Sequence, residues 1–259
     1  MRPIQGMSVL ITGGGSGLGA GIARHFAARG ARVTISGRRT HKLAEVAAEI
    51  GDACRAVAGD VTVEADRQAM VDAAVEHGAN TVGSGRLDVL VNNAGNMYRG
   101  PLSELDEAEL RAVFDSNVIG AMMLTQAALP HLVDARGAVV FMGSVHSQRA
   151  FPGASPYAAT KGAVETLTGV LAAELGPMGV RVSCIRPGAV FTEINQRAGL
   201  FDDDAALARL QGLAGAHALG RIGTADEIAE AVEYVARAEW TTGGVITVDG
   251  GLALGVTNA

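Results

Sequence analysis

An α/β fold in a single domain, with a parallel sheet covered by helices on both faces, is predicted by three observations. Apolar strand-like runs alternate with helix-period segments almost from end to end. Those runs are nearly continuous in Val, Ile, Leu and Ala, as strands buried on both faces require. A glycine-rich turn, Gly13-Gly14-Gly15-Ser16-Gly17-Leu18-Gly19, leads from the first run into the first helical segment.

The elements follow in order. Val9–Ile11 is a strand, followed by a helix near Gly17–Arg29; Arg32–Ser36 is the next strand, followed by a helix near His41–Ile50. A short strand near Arg55–Val57 precedes a helix near Ala65–His77, and Gly78–Gly85 reads as a polar surface loop entering the strand Leu87–Val91. A long helical region runs from about Glu107 to Leu129, with Asp106 and Glu109 as a capping pair and Pro130 near its end. The strand Ala138–Met142 leads to a helix that Ser155 caps and Pro156 begins, ending near Gly176-Pro177. Val180–Cys184 is a strand, Thr224 and Glu227 form a capping box for a helix ending near Arg237, and Val245–Val248 is the last strand. The whole chain, 1–259, forms one domain, with the segment from about 191 to 218 as a candidate substrate lid.

Composition narrows the function. Hydrophobic residues make up 48% of the chain and aromatics 4%, so the core is mostly aliphatic. A formal charge of −6 without any basic block argues against nucleic acid or anionic membrane as the main partner. No apolar stretch near 18 residues and no signal-peptide pattern are read, and Cys54 and Cys184 stand singly without metal spacing. The expectation is a cytoplasmic protein without a metal site.

Of the 21 basic residues only Lys42 and Lys161 are lysines, and Lys161 falls four residues after Tyr157. On a helix that spacing puts both side chains on one face. A compact ammonium beside a phenol can lower its pKa from about 10 towards neutrality, worth about 4 kcal/mol, which makes Tyr157 a candidate general acid/base. The alternative is an amphipathic helix with a chance Tyr-x-x-x-Lys pair.

The glycine turn permits close backbone approach to a pyrophosphate at the helix N-terminus, and no Gly-Lys-Ser/Thr follows it, so it is not a P-loop. The second strand ends Ile35-Ser36-Gly37-Arg38-Arg39, where a carboxylate gripping ribose hydroxyls is replaced by arginine. Arginine can clamp a 2′-phosphate, so NADP is expected over NAD.

Over essentially its whole length the chain resembles the short, single-domain branch of the short-chain dehydrogenase/reductase family. The resemblance rests on Thr12-Gly13-x-x-x-Gly17-x-Gly19, Asp60-Val61, Asn92-Asn93-Ala94-Gly95, Asn117, Ser144, Tyr157-x-x-x-Lys161, Arg186-Pro187-Gly188 and Asp249-Gly250-Gly251. It implies a Rossmann-type doubly wound sheet and hydride transfer between a nicotinamide cofactor and a secondary alcohol or ketone. By that resemblance Tyr157 exchanges the proton, Lys161 lowers its pKa and holds the nicotinamide ribose, Ser144 bonds the substrate oxygen, and Asn117 holds a water leading to solvent. Gly13, Ser16, Gly17, Leu18 and Gly19 would cradle the pyrophosphate, and Arg38, Asp60, Val61, Asn93, Ala94 and Gly95 would line the adenosine side. Pro187, Gly188, Val190 and Thr192 would border the nicotinamide. Asn96, Met97, Tyr98, His146, Gln148, Phe151 and Ile194 are candidates for the substrate wall. A homo-oligomer, dimer or tetramer, is also implied. The alternatives are an NAD-dependent alcohol, sugar or hydroxyacid dehydrogenase and, more remotely, a non-catalytic nucleotide-sensing regulator.

Overall fold

The computed structural model describes residues 1–82, 85–190 and 211–255. Seven strands, β1 (Ser8–Thr12), β2 (Arg32–Gly37), β3 (Cys54–Ala58), β4 (Val89–Asn92), β5 (Ala138–Met142), β6 (Arg181–Pro187) and β7 (Val245–Val248), form one sheet in the order β3-β2-β1-β4-β5-β6-β7. Every pairing is parallel. The connecting helices are α1 (Gly17–Ala27), α2 (Thr40–Ile50), α3 (Glu64–Val82), α4 (Glu107–Phe114), α5 (Gly120–Ala135), α6 (Ser155–Leu175) and α7 (Ala225–Arg237). This is the expected doubly wound α/β architecture.

The two-residue period of the strands divides the core into two layers. Val9, Ile11, Val89, Val91 and Val140 face Ile22, Phe26, Ile228 and Val232 of α1 and α7. Leu10, Leu90, Val139 and Phe141 face Met70, Leu124 and Leu132 of α3 and α5. Phe26 and Phe141 are fully buried in opposite layers, each contributing about 2–3 kcal/mol. The strand order reverses between β1 and β4, which opens a cleft at their carboxyl ends.

The structure corrects four local expectations. The Gly78–Gly85 segment is not a loop from its start: α3 continues to Val82. Gly78 permits this, because a Cβ there would lie 2.5 Å from the Ser8 Cβ, so only glycine lets α3 pass so close to β1. The cap of α6 is Ala154, not Ser155; a turn in which Ala154 N–H donates to Phe151 O starts the helix one residue earlier, and the Ala154 carbonyl accepts from Ala158 N. Pro130 does not end its helix, since it and Gln126, whose carbonyl loses a partner, both lie on the exposed face. Finally, α4 and α5 are joined by a π-helical turn, Asp115–Ile119. That junction makes the run Glu107–Ala135 the one described helix with the length and hydropathy (1.2) of a membrane span, which the sequence reading did not expect. Leu124, Ala128 and Leu132 of this run are fully buried against the sheet, as in the core helix of a globular fold.

The capping box of α7 forms as expected, Thr224 and Glu227 bonding reciprocally. At α4 the Asp106 carboxylate accepts from Glu109 N, but Asp106 N–H donates to the Tyr98 hydroxyl at 2.7 Å.

Candidate active site

The turn after β1 needs its glycines. Gly13 and Gly17 adopt φ of +67° and +54°, and a Cβ on Gly19 would lie 2.3 Å from the Gly13 carbonyl oxygen. The β4 end pins this turn: Thr12 Oγ1 accepts from Asn93 N and Ala94 N, at 3.1 and 2.9 Å, and Asn93 Nδ2 donates to Thr12 O at 2.8 Å. Ser16 precedes α1 without capping it through its side chain, and the first turn of α1 carries no acidic residue. Helix-start amides without a side-chain cap fit an anion such as a pyrophosphate.

One cavity extends from this turn past the ends of β2 and β3, lined by Gly13, Ser16, Arg38, Asp60, Val61 and Ala94. Arg39 Nη2 donates to Ser16 Oγ at 2.8 Å, which brings a second guanidinium to the turn. The Arg38 side chain is 61% exposed, 3.6 Å from Asp60 Oδ2, with a long bond of 3.4 Å to Asn96 Oδ1. Exposed pairs of this kind contribute about 0–1 kcal/mol, so Asp60 does not hold Arg38 away from a phosphate.

A second, more apolar cavity holds Ser144, Tyr157 and Lys161 together with Leu18, Asn93 and Pro187, and Gly188 and Val190 continue its wall. Gly95 lines both cavities, so they meet at the β4 end. Ser144, Tyr157 and Lys161 are all buried, at 8%, 7% and 6% exposure. Ser144 follows β5 in extended backbone and starts a short turn, Val145–Ser147. Tyr157 and Lys161 sit one turn apart on α6, with the ammonium 5.4 Å from the phenol ring centre and donating to Met142 O at 2.8 Å.

Asn117 lies in the π-helical turn behind this set. Its Nδ2 donates to Asn96 O and Thr160 Oγ1, at 2.9 and 3.0 Å, while Oδ1 accepts from Asn96 N and Ser116 Oγ. Both amide donors are thus used, while the single Ser116 proton is shared between Asn117 Oδ1 and Val113 O. The side chain is thereby fastened to Asn96 and to Thr160 of α6.

The electrostatics depart from the sequence reading. Burial pushes the Tyr157 phenol up to about 12, with the Ser144 hydroxyl pulling the other way. Burial also brings Lys161 down to about 8, opposed by Cys184 and Glu165. Burial and the Ser144 hydroxyl account for the Tyr157 shift, and the expected depression by Lys161 is not among its causes. Burial pushes both thiols up, Cys54 to about 11 and Cys184 to about 12, which favours the protonated form.

Of the remaining wall candidates, Met97, His146 and Phe151 line the second cavity. Asn96 belongs to the first cavity instead, the Tyr98 hydroxyl is engaged with Asp106, and Gln148 lines neither. Thr192 and Ile194, with most of the lid segment, lie outside the described residues. The sequence reading missed Glu165, which forms a two-pronged ion pair with Arg186 at 2.9 and 2.7 Å and accepts from Ser147 Oγ at 2.6 Å. Its spacing of four from Lys161 was the available signal. Arg99, Leu213 and Leu252, which also line the catalytic cavity, carried none. Among the described residues no cluster of His, Cys, Asp and Glu suits a metal.

Comparison with known proteins gives a consistent result. Residues 7–202 match the family model described as short chain dehydrogenase. L-fucose dehydrogenase of Bos taurus is 36% identical over 254 residues, covering 96% of this chain and 90% of that one. A 3-ketoacyl-(acyl-carrier-protein) reductase from Brucella melitensis, solved with NADH, shares 33% identity at a TM-score of 0.85, covering 96% and 99% of the two chains. A gluconate 5-dehydrogenase from Burkholderia cenocepacia, solved with NADP and tartrate, shares 33% identity at a TM-score of 0.84 and covers 97% of each. The chain belongs to the short-chain dehydrogenase/reductase family, as an NAD(P)-dependent oxidoreductase acting between CH–OH and C=O.

Proposed function

We propose that this protein is an NADP-preferring oxidoreductase that interconverts a secondary alcohol and a ketone, with Tyr157 as general acid/base. The observation that carries this reading is the meeting of the two cavities at Gly95, one reaching Arg38 and the other enclosing Ser144, Tyr157 and Lys161. Arg38 and the glycine turn would hold the phosphate end of a nucleotide, and Ser144, Tyr157 and Lys161 would border its reacting end.

A bound nicotinamide supplies the hydride donor or acceptor and, when oxidised, a positive charge that favours the phenolate. The residues do the rest. Ser144 donates to the substrate oxygen and fixes its place. Tyr157 gives that oxygen a proton in reduction and takes one in oxidation. Lys161, held by Met142 O, presents its charge to the phenol and the ribose. The apolar wall of the second cavity limits water around the reacting carbon.

Arg38 and Arg39 at the end of β2, with no carboxylate at 36 or 37, support NADP. A second reading, an NAD-dependent alcohol, sugar or hydroxyacid dehydrogenase, is favoured by the relative solved with NADH and by the Arg38–Asp60 contact. Assembly as a dimer or tetramer and residence in the cytoplasm complete the proposal.

The test is the affinity of the purified protein for NADPH and NADH, side by side at one salt concentration. A preference for NADPH of about tenfold or more, ~1.4 kcal/mol, supports the arginine clamp. A preference for NADH selects the second reading.

A further inference from the structure

We infer that His146 is a positioning residue: its Nδ1–H donates to Ser144 Oγ and turns the Ser144 hydroxyl proton towards the substrate oxygen. This rests on the reading of Ser144 as the substrate-oxygen donor.

Ser144 Oγ lies 3.0 Å from His146 Nδ1 and accepts from the His146 main-chain N–H at 3.3 Å. A hydroxyl has one proton and two lone pairs. If Nδ1 accepted, the single Ser144 proton would go to the imidazole, and Oγ could not donate to a carbonyl. With the proton on Nδ1, one residue fills both lone pairs of Oγ. The only bond left for Ser144 to make is then through its own proton. The pull of Ser144 on the Tyr157 phenol agrees with this, since a hydroxyl favours a phenolate by donating to it.

The imidazole is held for the task. Its ring stacks on Phe151 at 4.3 Å, tilted 31°, and meets the Tyr157 ring edge-on at 5.2 Å. Phe151 is backed by the Arg149 guanidinium, which is anchored to Leu252 O at 2.6 Å. Burial first, then the charges of Arg99 and Lys161, brings the His146 pKa down to about 4. At neutral pH the ring carries one proton, so its tautomer decides which way Ser144 points.

Two measurements test this. In the protein as isolated, long-range nitrogen–proton NMR of the imidazoles at pH 7 should show His146 protonated at Nδ1; protonation at Nε2 alone overturns the inference and needs no variant. The second is a cycle of His146→Leu, Ser144→Ala and the double variant, assayed by reduction of ethyl acetoacetate with NADPH. His146→Leu should lower kcat by about tenfold, the worth of one well-placed hydrogen bond. On the Ser144→Ala background it should cost less than about twofold. His146→Asn, whose amide N–H stands where Nδ1–H does, should recover most of the rate, and NADPH affinity should not move. An equal loss from His146→Leu on both backgrounds overturns the positioning role while leaving Ser144 in place. Full activity of Ser144→Ala overturns the reading of Ser144 and the inference with it.

Discussion

Lys161 Nζ donates to the Met142 carbonyl oxygen at 2.8 Å, fastening α6 to the end of β5 two residues before Ser144. The bond places an ammonium where water hardly reaches, and its desolvation is the main reason the Lys161 pKa stands at about 8 rather than 10.5. Folding therefore opposes the charged form. Below pH 8 the protein bears that cost in full, and stability from this group returns as pH rises from about 8 to 10.5. Lys161→Met removes the titration. Its stability relative to the wild type should thus shift in the wild type's favour by about 2 kcal/mol between pH 7 and pH 10, read by denaturant unfolding. A difference that does not change with pH contradicts the buried-ammonium account.

Arg38 reaches the cleft from the end of β2, and its contacts to Asp60 and Asn96 there are weak. Arg38→Ala should weaken NADPH binding by about tenfold or more, ~1.4 kcal/mol, and leave NADH binding within about twofold. Equal losses for both nucleotides in a calorimetric titration would remove Arg38 from phosphate recognition.

The elements that carry their own local signals were legible in the sequence. The bounds of β5 and β7 and the Thr224–Glu227 box of α7 follow from apolar runs and capping chemistry, both local to a few residues. The continuation of α3 through Gly78 was not legible, because it depends on how close α3 comes to Ser8, about seventy positions earlier. The site residues were legible as types, since Tyr157, Lys161 and Ser144 converge as expected. Their energetics were not. That burial raises the phenol, and that the Asn117 amide is tied to Asn96 and Thr160, are facts of packing with no sequence pattern behind them.

Gly78→Ala tests the α3 contact away from the chemistry. A Cβ 2.5 Å from Ser8 Cβ must displace backbone, which should cost about 1–3 kcal/mol of stability. Turnover per folded molecule should not change. An alanine variant as stable as the wild type in urea would mean that the close approach is not made.

Tyr157 starts from a pKa of about 12 within the protein. In the oxidative direction the phenolate accepts the proton, so the chemistry-limited rate should climb as pH rises towards that value and the phenol ionises. In the reductive direction the neutral phenol donates, so the rate should stay level until pH nears that value and fall only there. A flat oxidation profile from pH 6 to pH 10, measured where chemistry limits the rate, contradicts Tyr157 as the proton acceptor.

Replacement of a single oxygen isolates the role of Tyr157 in proton transfer: turnover and NADPH affinity of Tyr157→Phe. The phenyl ring keeps the shape of the cavity and removes only the hydroxyl. The kcat for ketone reduction should be at least about a hundredfold lower, with NADPH bound within about threefold of the wild type. Full turnover in Tyr157→Phe would contradict that role, because the proton would then be moving by another route.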